Sequence, residues 1–307
     1  MKGKQGAGVG YAMVFIAALM WGTIGIFVKG ISGAGVSSQT MAAFRLLMGA
    51  VLLVPVLMVM GCRGAAGDGV EPGPLALFKC DARSLGCCAL VGIPGLVISN
   101  TCYYESMDAV GMSTASVLLY TSPVFGCILG RLLFREDMTP NKFVAIACNI
   151  AGCVLTVTDG DLTGFHFSVY GIAIGVVAGF LGAMLAVFSR MATARMHPLA
   201  VTFWGFVFGG GFMAALTAPW TDLATALSPR LIGLFAGFGL IPTALAYVFY
   251  MQGLSLGLET SKVPVIASFE TVATVLVGIC IYAESAGAVK MLGILLVLGS
   301  IVIMNTD

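Results

Sequence analysis

The chain predicts an all-α integral membrane protein: ten transmembrane helices in two inverted five-helix repeats. Three observations lead there. Hydrophobic residues make up 59% of the 307 residues and charged ones 9%. That is roughly a third of the ~25% charge of a soluble domain, too little to cover a water-facing surface. The apolar residues gather into ten continuous stretches, each near the ~20 residues a helix needs to cross about 30 Å of hydrocarbon. Finally, the second five stretches echo the first five. Barrel strands would alternate over segments of about ten residues. These runs are continuous and longer, so helices satisfy the backbone in lipid.

The first stretch, 10–30, follows Lys2 and Lys4 and carries Trp21 near its middle. A basic start before an apolar run resembles a signal peptide. The run is about 18 residues, long for such a segment, and no A-x-A site follows closely, so it reads as a spanning helix. The second, 39–60, carries Arg45. Segment 61–84, with Pro72, Pro74 and several glycines, reads as a loop. The third, 85–105, holds Pro94-Gly95, Asn100, Tyr103, Tyr104 and Glu105; the fourth, 111–134, holds Tyr120 and Pro123; the fifth is 141–158. The second half runs 167–190, 198–218 with Trp204, 230–252 with Pro242, Tyr247, Tyr250 and Gln252, 258–282 with Pro264 and Glu270, and 287–305. Two units follow, 10–158 and 167–305. The connections are short and leave no room for a soluble domain.

Ten helices put both termini on one face, and the Lys/Arg rule then orients them. The termini face collects Lys2, Lys4, Arg63, Lys79, Arg83, Arg131, Arg135, Lys142, Arg190, Arg195 and Lys262; the other holds Lys29, Arg230 and Lys290. Eleven against three places both termini in the cytoplasm.

Five helices per half is odd, so tandem halves must insert with opposite orientation. Residues 17–29 align with 178–190: Phe27 matches Phe188, and Lys29 matches Arg190. Gly111-Met-Ser-Thr114 aligns with Gly257-Leu-Glu-Thr260, and Glu136 with Glu284. Each match is loose, but their common order points to a duplication.

Trp21-Gly22, Phe44-Arg45, Pro123-Val124, the Gly130-to-Glu136 exit of the fourth helix, Ser268-Phe269-Glu270 and Glu284 form a recognisable series. In these residues, over about 10–305, the chain resembles an EamA-type transporter of the drug/metabolite transporter superfamily. It departs at Thr271, where the second repeat of that family usually carries proline. The resemblance implies a ten-helix fold with a central cavity from helices 1–4 and 6–9 and peripheral helices 5 and 10. It also implies export or exchange of small organic solutes.

Glu270 is the sharpest candidate for coupling or substrate binding. A charge at the bilayer centre costs about 2.5–3.5 kcal/mol on insertion scales, so it persists only if paired, protonated or facing water, and such residues mark transport paths. A structural pair or a neutral acid packed between helices is the alternative. Arg45 lies about six residues into its helix, roughly 9 Å from the outer end. It can snorkel, bind a substrate carboxylate bidentately, or pair with Glu105. Trp21, Tyr103, Tyr104, Tyr120, Trp204, Tyr247 and Tyr250 lie on helices expected to meet at the centre; Trp21 and Tyr120 sit too deep for an interfacial belt and are the expected cavity walls. Asn100 and Gln252 are polar neighbours, more often bridges between helices than ligand contacts. Pro94, Pro123, Pro242 and Pro264 interrupt helices; Pro123 and Pro242 are the expected hinges. Gly126/Gly130, Gly171/Gly175/Gly179, Gly205/Gly209 and Gly233/Gly237 keep the four-residue spacing of close helix seams.

Catalytic and metal signatures are absent. His166 and His197 stand far apart, and no HExxH, Walker A or nucleophile elbow occurs. Nine scattered cysteines form no CxxC pair and read as small packing residues. The expectation is a non-enzymatic secondary transporter of small organic metabolites or amphipathic compounds in the bacterial inner membrane, without cofactor or metal. Its partners are a solute and lipid, not nucleic acid; a homodimer stays open. A non-coupled facilitator is the first alternative, a membrane sensor or scaffold the second.

Overall fold

The computed structural model describes residues 2–63, 72–161, 168–218, 228–283 and 287–306. The spans are α1 (Ala7–Ser32), α2 (Gln39–Cys62), α3 (Ala82–Val110), α4 (Thr114–Phe134), α5 (Pro140–Thr158), α6 (Val169–Thr193), α7 (Pro198–Thr217), α8 (Pro229–Ser255) and α9 (Val263–Tyr282). These nine are long and apolar enough to cross a membrane. The tenth helix, α10 (Ala288–Met304), is apolar over 17 residues, about 26 Å at 1.5 Å per residue. Loop 61–84 is shorter than expected, because α2 runs on to Cys62 and α3 starts at Ala82.

Local chemistry sets many boundaries. Thr139, Ser168 and Ser228 accept a backbone N–H from the first turns of α5, α6 and α8, and proline opens α5, α7 and α8 where its missing N–H costs nothing. Gly111 and Gly257, twins in the repeat, take φ of 84° and 75° at the entries to α4 and α9. A side chain would be strained there. Arg135 and Ala283, twins at the ends of α4 and α9, both sit in the left-handed region, at φ 56° and 52°.

The helix breaks repeat as well. Pro94 lies in a π-helical stretch of α3, Val91–Ile98, and Pro242 in one of α8, Leu240–Leu245. Both occupy the same place in their half. The wider turn accommodates a residue that cannot donate its amide. α4 breaks at Tyr120–Thr121, just before Pro123, and α9 breaks at Ser268. The break in α9 forms although Thr271 replaces the proline. Ser268 Oγ donates to the Val265 carbonyl at 2.6 Å, and Asn149 Nδ2 of α5 donates to Ser268 Oγ.

Lipid gives helices no hydrophobic reason to associate, so close backbone approach carries the packing. α5 lies on α10 through Gly152 and Gly293, where a Cβ on Gly152 would meet Val297 N at 2.7 Å. α3 lies on α7 where a Cβ on Gly209 would meet the Gly92 carbonyl at 2.9 Å. Most expected glycine seams form, but Gly233 meets nothing within 4 Å and is no seam residue. Its helix, α8, meets α1 instead at Gly237, against Phe27.

Candidate functional site

Two groups of polar residues lie between the halves, one at mid-span and one near the termini face. At mid-span, Glu270 opens the second segment of α9. Its carboxylate is partly exposed and has no hydrogen bond or ion pair among the described residues. It lies within electrostatic reach of Arg45, Tyr103, Tyr120 and Tyr247. These side chains come from α2, α3, α4, α8 and α9, so residues of both halves act on one carboxylate.

Each neighbour is held differently. Tyr103 shares a 2.8 Å hydrogen bond with Ser116 Oγ, which fixes α3 to α4. The Tyr120 hydroxyl accepts from Thr271 Oγ1, one residue beyond Glu270. Tyr247 is buried, with its ring 5.1 Å from Trp21 and 5.4 Å from Phe206. Trp21 also stacks obliquely on Tyr250, and its indole N–H is buried without an acceptor. An unpaired donor of that kind normally costs about 1–3 kcal/mol.

Arg45 corrects one expectation. It makes no ion pair with Glu105 among the described residues, and Glu105 is exposed. The rotation of α2 turns the guanidinium inward, 5.4 Å from the Phe238 ring, with Nε buried and unpartnered. There it lines a small cavity with Asn100, Thr101 and Tyr104. The cavity measures about 20 Å³, room for about one water molecule. Asn100 donates to its own helix at Leu96 O.

The remaining expected residues lie elsewhere. Gln252 sits three residues before the end of α8, at Ser255, and is not at mid-span. Pro123 follows the break of α4 and Pro242 lies within the π-helical stretch of α8. Trp204 packs on Phe203 and Phe208 of its own helix. Glu284 and His166 lie outside the described residues. All nine cysteines are free.

Near the termini face lies a cluster that the sequence reading did not assemble. Glu136, just past α4, accepts from Thr260 N at 2.6 Å and Ser261 N at 2.9 Å, and from Arg190 of α6 at 2.6 Å. Burial pushes the Glu136 carboxyl up, but these donors outweigh it and hold the group below the usual carboxylate range. Lys142 of α5, 2% exposed, reaches Glu259 Oε2 at 2.6 Å, and Lys262 reaches Oε1 at 3.1 Å. The signal was present: Lys29/Arg190, Thr114/Thr260 and Glu136/Glu284 were legible as repeat markers. Three charged or hydroxyl positions kept in register by both halves also mark one contact cluster.

Comparison with known proteins agrees with this architecture. Residues 8–158 and 169–306 match the EamA-like transporter family. The inner membrane transporter YicL of Salmonella typhimurium is 26% identical over 97% of this chain and 95% of its own length. A transporter of Archaeoglobus fulgidus is 23% identical over 96% and 95%. The pseudopaline exporter CntI of Pseudomonas aeruginosa is 22% identical over 53% of this chain and 58% of its own. A solved structure titled "Crystal structure of protein" superposes with a TM-score of 0.77 over 96% of each chain at 15% identity, which speaks to the fold alone. With both halves matched and ten apolar helices arranged as two inverted repeats, the chain is an integral membrane transporter of the EamA-like family of the drug/metabolite transporter superfamily.

Proposed function

We propose that this protein is a secondary transporter that exports small organic metabolites or amphipathic compounds across the bacterial inner membrane by alternating access. In this reading both termini face the cytoplasm and protons drive the flux through Glu270. One observation carries it: a half-buried, unpaired carboxylate at mid-span, with Arg45 and three tyrosines from both halves within electrostatic reach. An acid so placed alternates between a charged state when water reaches it and a neutral state when the path closes. Arg45 supplies a fixed positive charge for an anionic group of the solute, and Trp21 and the tyrosines supply apolar and aromatic walls. The relative CntI, named as an exporter, supports the direction.

The test is a screen of radiolabelled amino acids, sugars and nucleotides in proteoliposomes, with and without a pH gradient. Gradient-driven accumulation of one class supports the proposal. Exchange that ignores the gradient favours the uncoupled facilitator.

A further inference from the structure

All three donors to the Glu136 carboxylate, and the short Lys142–Glu259 ion pair, tie one half of the protein to the other. Glu136 belongs to the first half; its donors Arg190, Thr260 and Ser261 belong to the second. Lys142 of the first half holds Glu259 of the second, and Glu259 N donates to the Tyr11 hydroxyl at 3.4 Å. Arg190 also lies 3.9 Å over the Phe134 ring and donates to Thr260 Oγ1 at 2.9 Å. Glu136 is 8% exposed, and its carboxylate sits where a Cβ on Gly130 would touch it. A side chain at Gly130 would push the Glu136 carboxylate out of this place.

The inverted repeat supplies an internal comparison. On the opposite face, Lys29 and Tyr282 occupy the places of Arg190 and Phe134, and they meet in the same way, Nζ 3.6 Å from the ring centre. The hydroxyl that corresponds to Thr260, Thr114 Oγ1, is buried with no hydrogen-bond partner. The two faces therefore share a cation-on-ring contact, but the threonine is engaged at one end and idle at the other. Glu284, the counterpart of Glu136, lies outside the described residues, so the difference between the faces stands at the threonines, and one pair of equivalent positions held unequally fits a two-state device.

We infer that Glu136 is the keystone of a latch that closes the termini face, and that its release from Thr260, Ser261 and Arg190 is the step that opens the path on that side. The inference rests on the reading that the two halves alternate. It differs from it in naming the bonds that must break. Three charge-assisted hydrogen bonds converge on one carboxylate, each about twice as strong as a neutral one. Water entering between α4 and α9 would replace them at little cost, so the latch is firm when dry and reversible when wet.

Two native cysteines serve as reporters. Cys127, 2% exposed, lies on α4 and packs against Val265 at the start of α9, the segment that Glu136 holds. Cys153 is fully buried on α5, away from the latch, and clusters with Ala18 and Phe269. In a full-length protein keeping only these two cysteines, labelling by a thiol reagent that does not cross membranes is timed from the termini side of oriented vesicles. Glu136→Gln keeps size and removes the charge; Arg190→Met keeps the stem over Phe134 and removes the donor. Both variants should speed Cys127 labelling by about tenfold or more, the effect of losing one charged hydrogen bond, while Cys153 stays protected. Unchanged Cys127 labelling in both variants would overturn the latch. Equal gains at Cys127 and Cys153 would also overturn it, because that pattern is general loosening. The readout is labelling and not flux, so a protein that moves no solute bears on the transport reading alone.

Discussion

At the scale of single residues, charge placement decides the outcome. Glu136 has a folded-state pKa below that of a free carboxyl despite its burial, because Ser261, Thr260 and Arg190 all donate to it. For a depressed acid the stabilising contribution is complete above the unfolded pKa, about 4.3, and disappears as pH falls through the lower folded value. Thermal unfolding in detergent should therefore show stability that falls as pH drops below about 4.3, and Glu136→Gln should flatten that slope. His197, ahead of α7, is pushed down by burial. Its neutral form is favoured when folded, so stability is present above about 6.5 and is lost as pH falls below it. Arg45 gives a second check. Without a partner at Glu105, Glu105→Gln should change stability by less than about 0.5 kcal/mol, whereas Arg45→Met should abolish transport of an anionic solute. A loss in Glu105→Gln that Arg45→Met restores would reinstate the pair.

At the scale of elements, the breaks of α4 and α9 differ in how they are made. Pro123 imposes the first. Hydrogen bonds impose the second: Ser268 Oγ to Val265 O, Asn149 Nδ2 to Ser268 Oγ, and Asn149 Nδ2 to Ser300 Oγ at 3.1 Å. Asn149 is fully buried at the junction of α5, α9 and α10. Asn149→Leu should cost about 1–3 kcal/mol, measured as a lower unfolding temperature, because it removes the two hydrogen bonds that join α5 to α9 and α10. Thr271→Pro should be tolerated: the amide it removes lies in the first turn after the break and makes a single 3.0 Å bond, to the Ser268 carbonyl. Its cost is that bond and the Thr271 hydroxyl, which donates to Tyr120. A Thr271→Pro protein with normal unfolding temperature and altered transport would separate hinge shape from stability.

At the scale of the whole molecule, much was legible in the sequence and the rest was lost for physical reasons. Helix number, position and duplication follow from run length and composition, which lipid enforces strongly. The π-helical stretches fall where Pro94 and Pro242 stand. Helix rotation is weakly encoded when both faces are apolar, so the sequence leaves Arg45 free to face Glu105, whereas its helix turns it toward Phe238. Gln252 closes the expected span 230–252 and lies three residues inside the observed end at Ser255, so neither bound puts it at mid-span. The Glu136 cluster joins residues 54 and 124 positions apart, contacts that no local pattern displays. Topology has its own test. A cysteine placed between Arg131 and Lys142 should label from the cytoplasm, and one at Gly35 or Asp161 from outside. The expected outer loops at 159–166 and 219–229 fall largely outside the described residues. Outside labelling of the α4–α5 connection would reverse the orientation.

The central claim is that a lone mid-span carboxylate couples solute movement to protons, and Glu270→Gln in proteoliposomes tests it most directly. The account predicts that the variant binds solute and exchanges it across the membrane but no longer accumulates it in response to a pH gradient. Normal gradient-driven accumulation by Glu270→Gln would contradict it.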